Sequence, residues 1–306
     1  MNRATREAFG EQLVESGRKH KNILALNADL GKATKIAEFG KAFPDRLFEV
    51  GIAENNMIGI ASGLSEYGYK VFIASFASFL TGKYDTIRIS LAYSKAPVIL
   101  IGTHCGLSIG KDGVTQMGLE DLSLMRSLPN MVVLNPATFN ETKSVIKYLC
   151  DTELHTPHYV RIGRQPVEEV FEENFQFNFG KAQVIKTGKN AIILSTGCIL
   201  SDVINAAKDL NVTILNITTL KPIDLELNNI LSEYSKIITI EDHSIIGGLG
   251  SIISEIIADN GLNSKLTRIG INDVFPESGI PAELYNKYGL SENKIKEKIL
   301  NVLNDK

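Results

Sequence analysis

At 306 residues, with 44% hydrophobic and 22% charged side chains, the chain exceeds the usual size of one core and has apolar content enough for two globular units. Its 32 basic against 35 acidic residues leave a net charge of −3 with no long basic run, which offers no footprint for nucleic acid or an anionic membrane. Cys105, Cys150 and Cys198 are too few and too scattered for a disulfide framework or a zinc site. The start MNRATREAFGEQL lacks a signal-peptide apolar core, and apolar runs such as 71–80 fall well short of the ~20 residues that span a bilayer, so a cytoplasmic location and no membrane segment are expected.

In chain order, helical spacing over 3–19 precedes a short apolar run at 23–26. Further runs at 47–50, 71–74, 98–101 and 131–134 read as buried strands, with helical patterns over 53–67, 77–93, 119–127 and 138–149 between them. This alternation predicts a doubly wound α/β unit with a mostly parallel sheet. In such sheets ligands gather beyond the carboxyl ends of the strands, where 27–29, 51–54, 75–79 and 102–106 fall. Residues 165–179, with Pro166 and four glutamates, read as a connector, which divides the chain into units 1–178 and 179–306. The second unit is again α/β: strands are expected at 191–195, 213–216, 236–241 and 265–269, helices at 200–210, 225–234 and 250–260, and an amphipathic helix at 292–303.

The segment Gly51-Ile52-Ala53-Glu54-Asn55-Asn56-Met57-Ile58-Gly59-Ile60-Ala61-Ser62-Gly63-Leu64 places one carboxylate in the first turn of an otherwise small and apolar helix, where the helix dipole favours an anion. Ile52, Met57, Ile60, Ala61 and Leu64 recur at helical spacing and mark the face expected to be buried. On local pattern alone, an ordinary helix-start glutamate competes with a functional one. Likewise Phe76 and Phe79 could simply fill a core, and His104 could be a satisfied structural histidine. Arg6 could lie on a solvated helix face, and Arg164 could form an interdomain ion pair.

The sequence GIAENNMIGIASGL resembles the segment of thiamine diphosphate enzymes of the transketolase group that carries their cofactor-activating glutamate. The likeness continues in the same order through Thr103-His104-Cys105-Gly106, Gly110-Lys111-Asp112-Gly113-Val114-Thr115-Gln116-Met117 and Leu119-Glu120-Asp121, then into the carboxyl-terminal section, so nearly the whole chain is covered. The resemblance implies two α/β domains, a pyrimidine-binding one and a C-terminal one. It places Glu54 at the ring nitrogen of the cofactor's aminopyrimidine, where it promotes formation of the nucleophilic carbanion. Phe76 and Phe79 become the aromatic lining of that pocket, Phe79 the stacking ring, with Asp29, Leu30 and Ile52 beside the cofactor. His104, also given a catalytic role, and Asp112 become sugar-binding groups, with Gln116 near them. Arg6 and Arg164 become the grip on a sugar's terminal phosphate, Arg161 competing for that place.

Transketolases bind the metal of the cofactor diphosphate through a Gly-Asp-Gly motif, which this sequence lacks. The resemblance therefore implies the carboxyl-terminal half of a split enzyme, with Mg²⁺ or Ca²⁺ and the diphosphate held by an amino-terminal partner subunit in an α₂β₂ assembly acting on sugar phosphates. Cys105 and Lys111 stand where many transketolases have acidic or small residues, and Ala33 replaces a serine, which leaves the acceptor sugar open. The stretches Thr219-Leu220-Lys221-Pro222-Ile223-Asp224, Glu241-Asp242-His243-Ser244 and Gly247-Gly248-Leu249-Gly250 are assigned structural roles. Rival readings are the β subunit of a 2-oxo acid dehydrogenase decarboxylase, a 1-deoxyxylulose-phosphate synthase-like enzyme, and a binding subunit without catalysis.

Overall fold

The computed structural model describes residues 2–305. Apolar runs followed by helices generate six parallel strands: β1 (Ile23–Asn27), β2 (Leu47–Glu49), β3 (Lys70–Phe76), β4 (Ile99–Thr103), β5 (Val132–Leu134) and β6 (His158–Arg161), in spatial order β5-β6-β4-β3-β1-β2. Because strand side chains alternate between faces, Ile23, Ala25, Phe72, Ala74, Ile99 and Ile101 meet Phe9 and Leu13 of helix α1 (Thr5–Lys19) and Val145 and Ile146 of helix α3 (Phe139–Asp151). Leu26, Val71, Ile73, Val98 and Leu100 pack on the opposite face with Met57, Ile58 and Ala61 of helix α2 (Glu54–Glu66).

The second sheet contains β7 (Gln183–Lys186), β8 (Ile192–Thr196), β9 (Thr213–Asn216), β11 (Lys236–Ser244) and β12 (Lys265–Ile271) in order β12-β11-β8-β9-β7, parallel except at the β7 edge. The intervening strand β10 (Thr219–Lys221) leaves that sheet and pairs antiparallel with β5, becoming the seventh strand of the first. The Thr219–Asp224 landmark thus fastens the two halves together. The connector at 165–179 packs rather than hangs: Phe177 and Phe179 lie against the Tyr148 ring.

Several sequence expectations change. The 47–50 run is not a buried strand but the edge of the sheet, with Phe48 43% exposed. Strand β6 was not anticipated, because His158 and Arg161 disguise a segment whose four residues are all buried. The helix expected over 77–93 breaks at Gly82–Lys83 into Ala77–Thr81, Tyr84–Ile87 and a π-helical turn, Arg88–Tyr93. The buried face of α2 is Met57, Ile58, Ala61 and Ser65, whereas Ile52 and Ile60 point outward. The helix expected from 119 begins at Asp121.

Lysines terminate helices in both halves. Lys70 Nζ donates to the carbonyls of Leu149 (2.8 Å), Cys150 (2.6 Å) and Thr152 (2.6 Å) at the end of α3. Lys186 Nζ does the same for Ala207, Lys208 and Leu210 at 2.7, 2.9 and 2.6 Å. A cation here satisfies carbonyls that no helical N–H can reach and complements the negative end of the helix dipole. Lys70→Met keeps the apolar stem and is expected to lower the unfolding free energy by about 2 kcal/mol. Urea denaturation reads this directly, and an unchanged midpoint would refute the capping role.

Candidate active site

Four strand ends converge on one side of the first sheet. After β1 the chain turns through Asp29, whose φ of 59° is left-handed, and after β2 it turns through Gly51 at φ 74° before α2 begins at Glu54. After β3 the short helix Ala77–Thr81 starts at once, and after β4 His104 also adopts a left-handed φ, 59°. Such backbone is uncommon for residues with a Cβ, and two of the five non-glycine cases among the described residues, Asp29 and His104, are site candidates.

The first three turns enclose a cavity of about 380 Å³ lined by Ala28, Asp29, Leu30, Ile52, Glu54, Ser78, Phe79, Gly82 and Lys83. Asp29, Leu30, Ile52, Glu54 and Phe79 are therefore brought together as expected neighbours. Glu54 is buried at the first turn of α2, and its Oε1 accepts a hydrogen bond from Ser75 Oγ at 3.2 Å. Ile52 lines the cavity while remaining 84% exposed, so this side of the cavity faces outward. Phe76 is not part of the lining. It is buried behind it, stacked on Phe79 with ring centroids 5.3 Å apart and on His104 at 3.8 Å. The fit to an aminopyrimidine rests on the donor set: a buried carboxyl at a helix start, the Phe79 ring, and Ser78 Oγ, which is buried without a partner.

The Phe76–His104 stack leads to a second group of side chains. Thr103 Oγ1 gives its proton to Ser75 O (3.3 Å) and so accepts Nδ1–H of His104 (2.8 Å), which leaves the Nε2 lone pair facing Arg6 Nη1 at 3.4 Å. Burial, reinforced by Arg6 and Arg164, depresses the His104 pKa to about 3. Arg6 is itself pushed down, by burial and then by Arg164, and its Nε is buried without a partner. Two guanidiniums, Arg6 with an unused Nε–H, thus converge beside a neutral imidazole.

The fold places Arg6 and Arg164 together by a two-residue antiparallel bridge, Arg3–Ala4 against Pro166–Val167, and by Gly163 N–H donating to Thr5 Oγ1 at 2.7 Å. Arg164 Nη1 donates to Ile109 O (3.1 Å) and to Asp112 Oδ2 (2.7 Å), so the Asp112 carboxylate is engaged by an arginine rather than free for a hydroxyl. Gln116 sits on the turn Val114–Gln116 packed against Ala77–Thr81, and no side-chain bond ties it to the cluster. Arg161 does not compete with Arg164. It is buried, with Nε bonded to both oxygens of Asp121 (3.2 and 3.0 Å) and Nη2 to Gly118 O and Asp242 O. His243 is likewise buried, between Asp121 and Glu241.

Sequence reading missed Ala28, Ser78, Gly82 and Lys83 in the cavity wall. A small residue beside a strand-end aspartate, and a glycine interrupting the 77–93 pattern, were the available signals. Among the described residues no group of three or more His, Cys, Asp or Glu side chains is placed to hold a metal ion, and no helix is long and apolar enough to cross a membrane.

The family described as "Transketolase, pyrimidine binding domain" matches residues 1–169, and "Transketolase, C-terminal domain" matches 180–295. The chain belongs to the transketolase family. It corresponds to that family's carboxyl-terminal section, the part that a split transketolase carries as a separate chain. It is 41% identical over 303 residues to a transketolase C-terminal section of Methanocaldococcus jannaschii, covering 96% of this chain and 95% of the other. A structure titled "Split gene transketolase, inactive beta4 tetramer" superposes with a TM-score of 0.89 at 39% identity, with 98% of each chain covered. The 1-deoxy-D-xylulose-5-phosphate synthase of Dictyoglomus thermophilum is 35% identical over 98% of this chain, which spans only 49% of that protein.

The depressed His104 pKa carries a stability consequence. The folded imidazole stays neutral where the unfolded one, near 6.5, takes a proton, so its contribution is present above pH 6.5 and is lost as pH falls toward about 3. His158 and His243, both lowered to about 4, act with the same sign. His104→Asn, which tolerates the left-handed backbone, should lose stability less steeply between pH 6 and 4, by up to about 1.4 kcal/mol per pH unit. Parallel slopes for wild type and variant in urea unfolding would show that His104 titrates normally.

Proposed function

We propose that this chain, joined to an amino-terminal subunit, transfers a two-carbon ketol unit from a ketose phosphate to an aldose. The observation that carries this reading is a continuous chain of contacts: Phe79 in the wall of the cavity that holds Glu54 stacks on buried Phe76, Phe76 stacks on His104, and His104 Nε2 faces Arg6, which lies beside Arg164. Thiamine diphosphate, when bound, supplies the carbon nucleophile. Glu54 would share a proton with the aminopyrimidine ring nitrogen, and its burial would keep water from that contact. Phe79 offers a flat apolar face to the heterocycle. His104 would offer its neutral Nε2, which faces Arg6, to the sugar, and Arg6 with Arg164 would receive the sugar phosphate, whose negative charge would relieve the repulsion between the two guanidiniums.

The partner follows from what the cavity leaves open. Its rim carries Ile52, an apolar side chain left 84% exposed, which the partner would cover. The metal and diphosphate belong to that partner in an α₂β₂ assembly. The relative titled as an inactive β4 tetramer supports a chain that needs its counterpart.

The deciding assay is turnover of xylulose 5-phosphate with ribose 5-phosphate, thiamine diphosphate and Mg²⁺, by the chain alone and with the amino-terminal subunit. Activity is expected only in the mixture. Carbon dioxide release from a 2-oxo acid instead would select the decarboxylase reading, and condensation of pyruvate with glyceraldehyde 3-phosphate the deoxyxylulose-phosphate one. In the active complex, Glu54→Ala is expected to lower kcat by at least about a hundredfold. Arg164→Ala should raise KM for phosphorylated donors by about tenfold while sparing kcat. Equal kinetics for phosphorylated and unphosphorylated ketoses in wild type would remove the arginines from substrate binding.

A further inference from the structure

Two walls of the cavity are loops that follow neighbouring parallel strands, and their geometry depends on one side chain that no sequence motif singled out. Asn27 and Glu49 are register partners at the carboxyl ends of β1 and β2. Glu49 Oε1 accepts the backbone N–H of Asp29 and that of Gly51, each at 2.8 Å. Its Oε2 accepts Nδ2–H of Asn27, whose Oδ1 in turn accepts the Leu30 N–H at 3.0 Å. Both backbone N–H groups taken by Oε1 belong to left-handed residues, Asp29 at φ 59° and Gly51 at φ 74°. One carboxylate therefore pins the two unusual turns that carry Asp29 and Leu30 on one side of the cavity and Ile52 and Glu54 on the other. Charge-assisted bonds to a shared oxygen fix their separation as well as their shape.

We propose that Glu49 is a positioning residue that sets the width of the aminopyrimidine cavity by clamping both loops, with buried Asn27 as its relay. This rests on the reading of the cavity as the thiamine diphosphate pocket. Glu49 is exposed and lies outside the cavity lining, so its influence runs through the loops and not through burial of its own charge.

The donor and acceptor pattern supplies a strict test. In Glu49→Gln the new amide NH₂ faces the Asn27 NH₂, and turning the Asn27 amide over only moves the donor clash to the Leu30 N–H. In the double variant Asn27→Asp/Glu49→Gln every bond can re-form. The introduced carboxylate accepts both the Leu30 N–H and the new amide NH₂, while the oxygen of that amide keeps the Asp29 and Gly51 N–H groups. The readouts are amide hydrogen exchange over 28–31 and 50–54 in the chain itself and calorimetric affinity of the two-subunit complex for thiamine diphosphate.

Glu49→Gln should speed exchange in both loops and weaken cofactor binding by about tenfold, with kcat at saturating cofactor retained. The double variant should bring both readouts back toward wild type. Exchange unchanged in Glu49→Gln, or a double variant no better than the single, overturns the clamp. A wild-type complex that takes up no thiamine diphosphate overturns the underlying pocket reading, and with it the cofactor role of the clamp, whatever the exchange data show.

Discussion

The buried ion pair between Arg161 and Asp121 is the contact on which the arrangement of the site depends. Arg161 ends β6, an interior strand of the first sheet, Asp121 opens a helix, and Nη2 of the same guanidinium reaches Gly118 O and, in the second half of the chain, Asp242 O. Tyr159 adds its hydroxyl to the same carboxylate at 2.7 Å. Removing either charge would strand the other in the interior, which costs far more than the pair itself gains. The bond to Gly118 O reaches the candidate site, because the carbonyl of Gly118 also receives the Gly106 N–H at 2.9 Å, two residues beyond His104.

From that anchor the site is built by short chain segments in both directions. Three residues after Arg161 comes Arg164, and the bridge of Pro166–Val167 to Arg3–Ala4 brings Arg6 against it. The loop after His104 is held by Asp242, whose carboxylate accepts the Leu107 N–H at 3.0 Å and sits where any Cβ on Gly106 would collide, 2.0 Å away. The second half thus acts as a brace: β10 closes the first sheet, and Asp242 backs the His104 end of the site. The cavity end is held differently, by Asn27 and Glu49 within the first sheet. The two ends of one site therefore rest on separate supports, joined by the Phe76–His104 stack.

Legibility in the sequence followed from how each element gains its stability. Strands buried on both faces announced themselves as apolar runs, and β1, β3, β4, β8 and β9 lie where those runs fall. Strand β6 escaped because its ends are polar: Arg161 is satisfied by a tertiary partner, Asp121, and His158 by the nearby Thr156 carbonyl. The 77–93 pattern reads as one helix because periodicity survives a break. Gly82 and Lys83 turn the chain there to shape a cavity wall, which no pattern of apolar residues records.

By itself the sequence determined the alternation of strands and helices, the helix that begins at Glu54, and a set of candidate residues at strand ends, since each depends only on local period and on chemistry at fixed spacing. Tertiary structure alone decided which candidates meet. Register between parallel strands set Asn27 opposite Glu49, an inter-half strand tied the two sheets, and burial separated Arg161, consumed by Asp121, from Arg164, which remains at the site. Arginines three residues apart look alike in a string of letters. Their roles differ because one is enclosed with a carboxylate in a medium that does not tolerate unpaired charge, and the other is left half-buried beside a second cation.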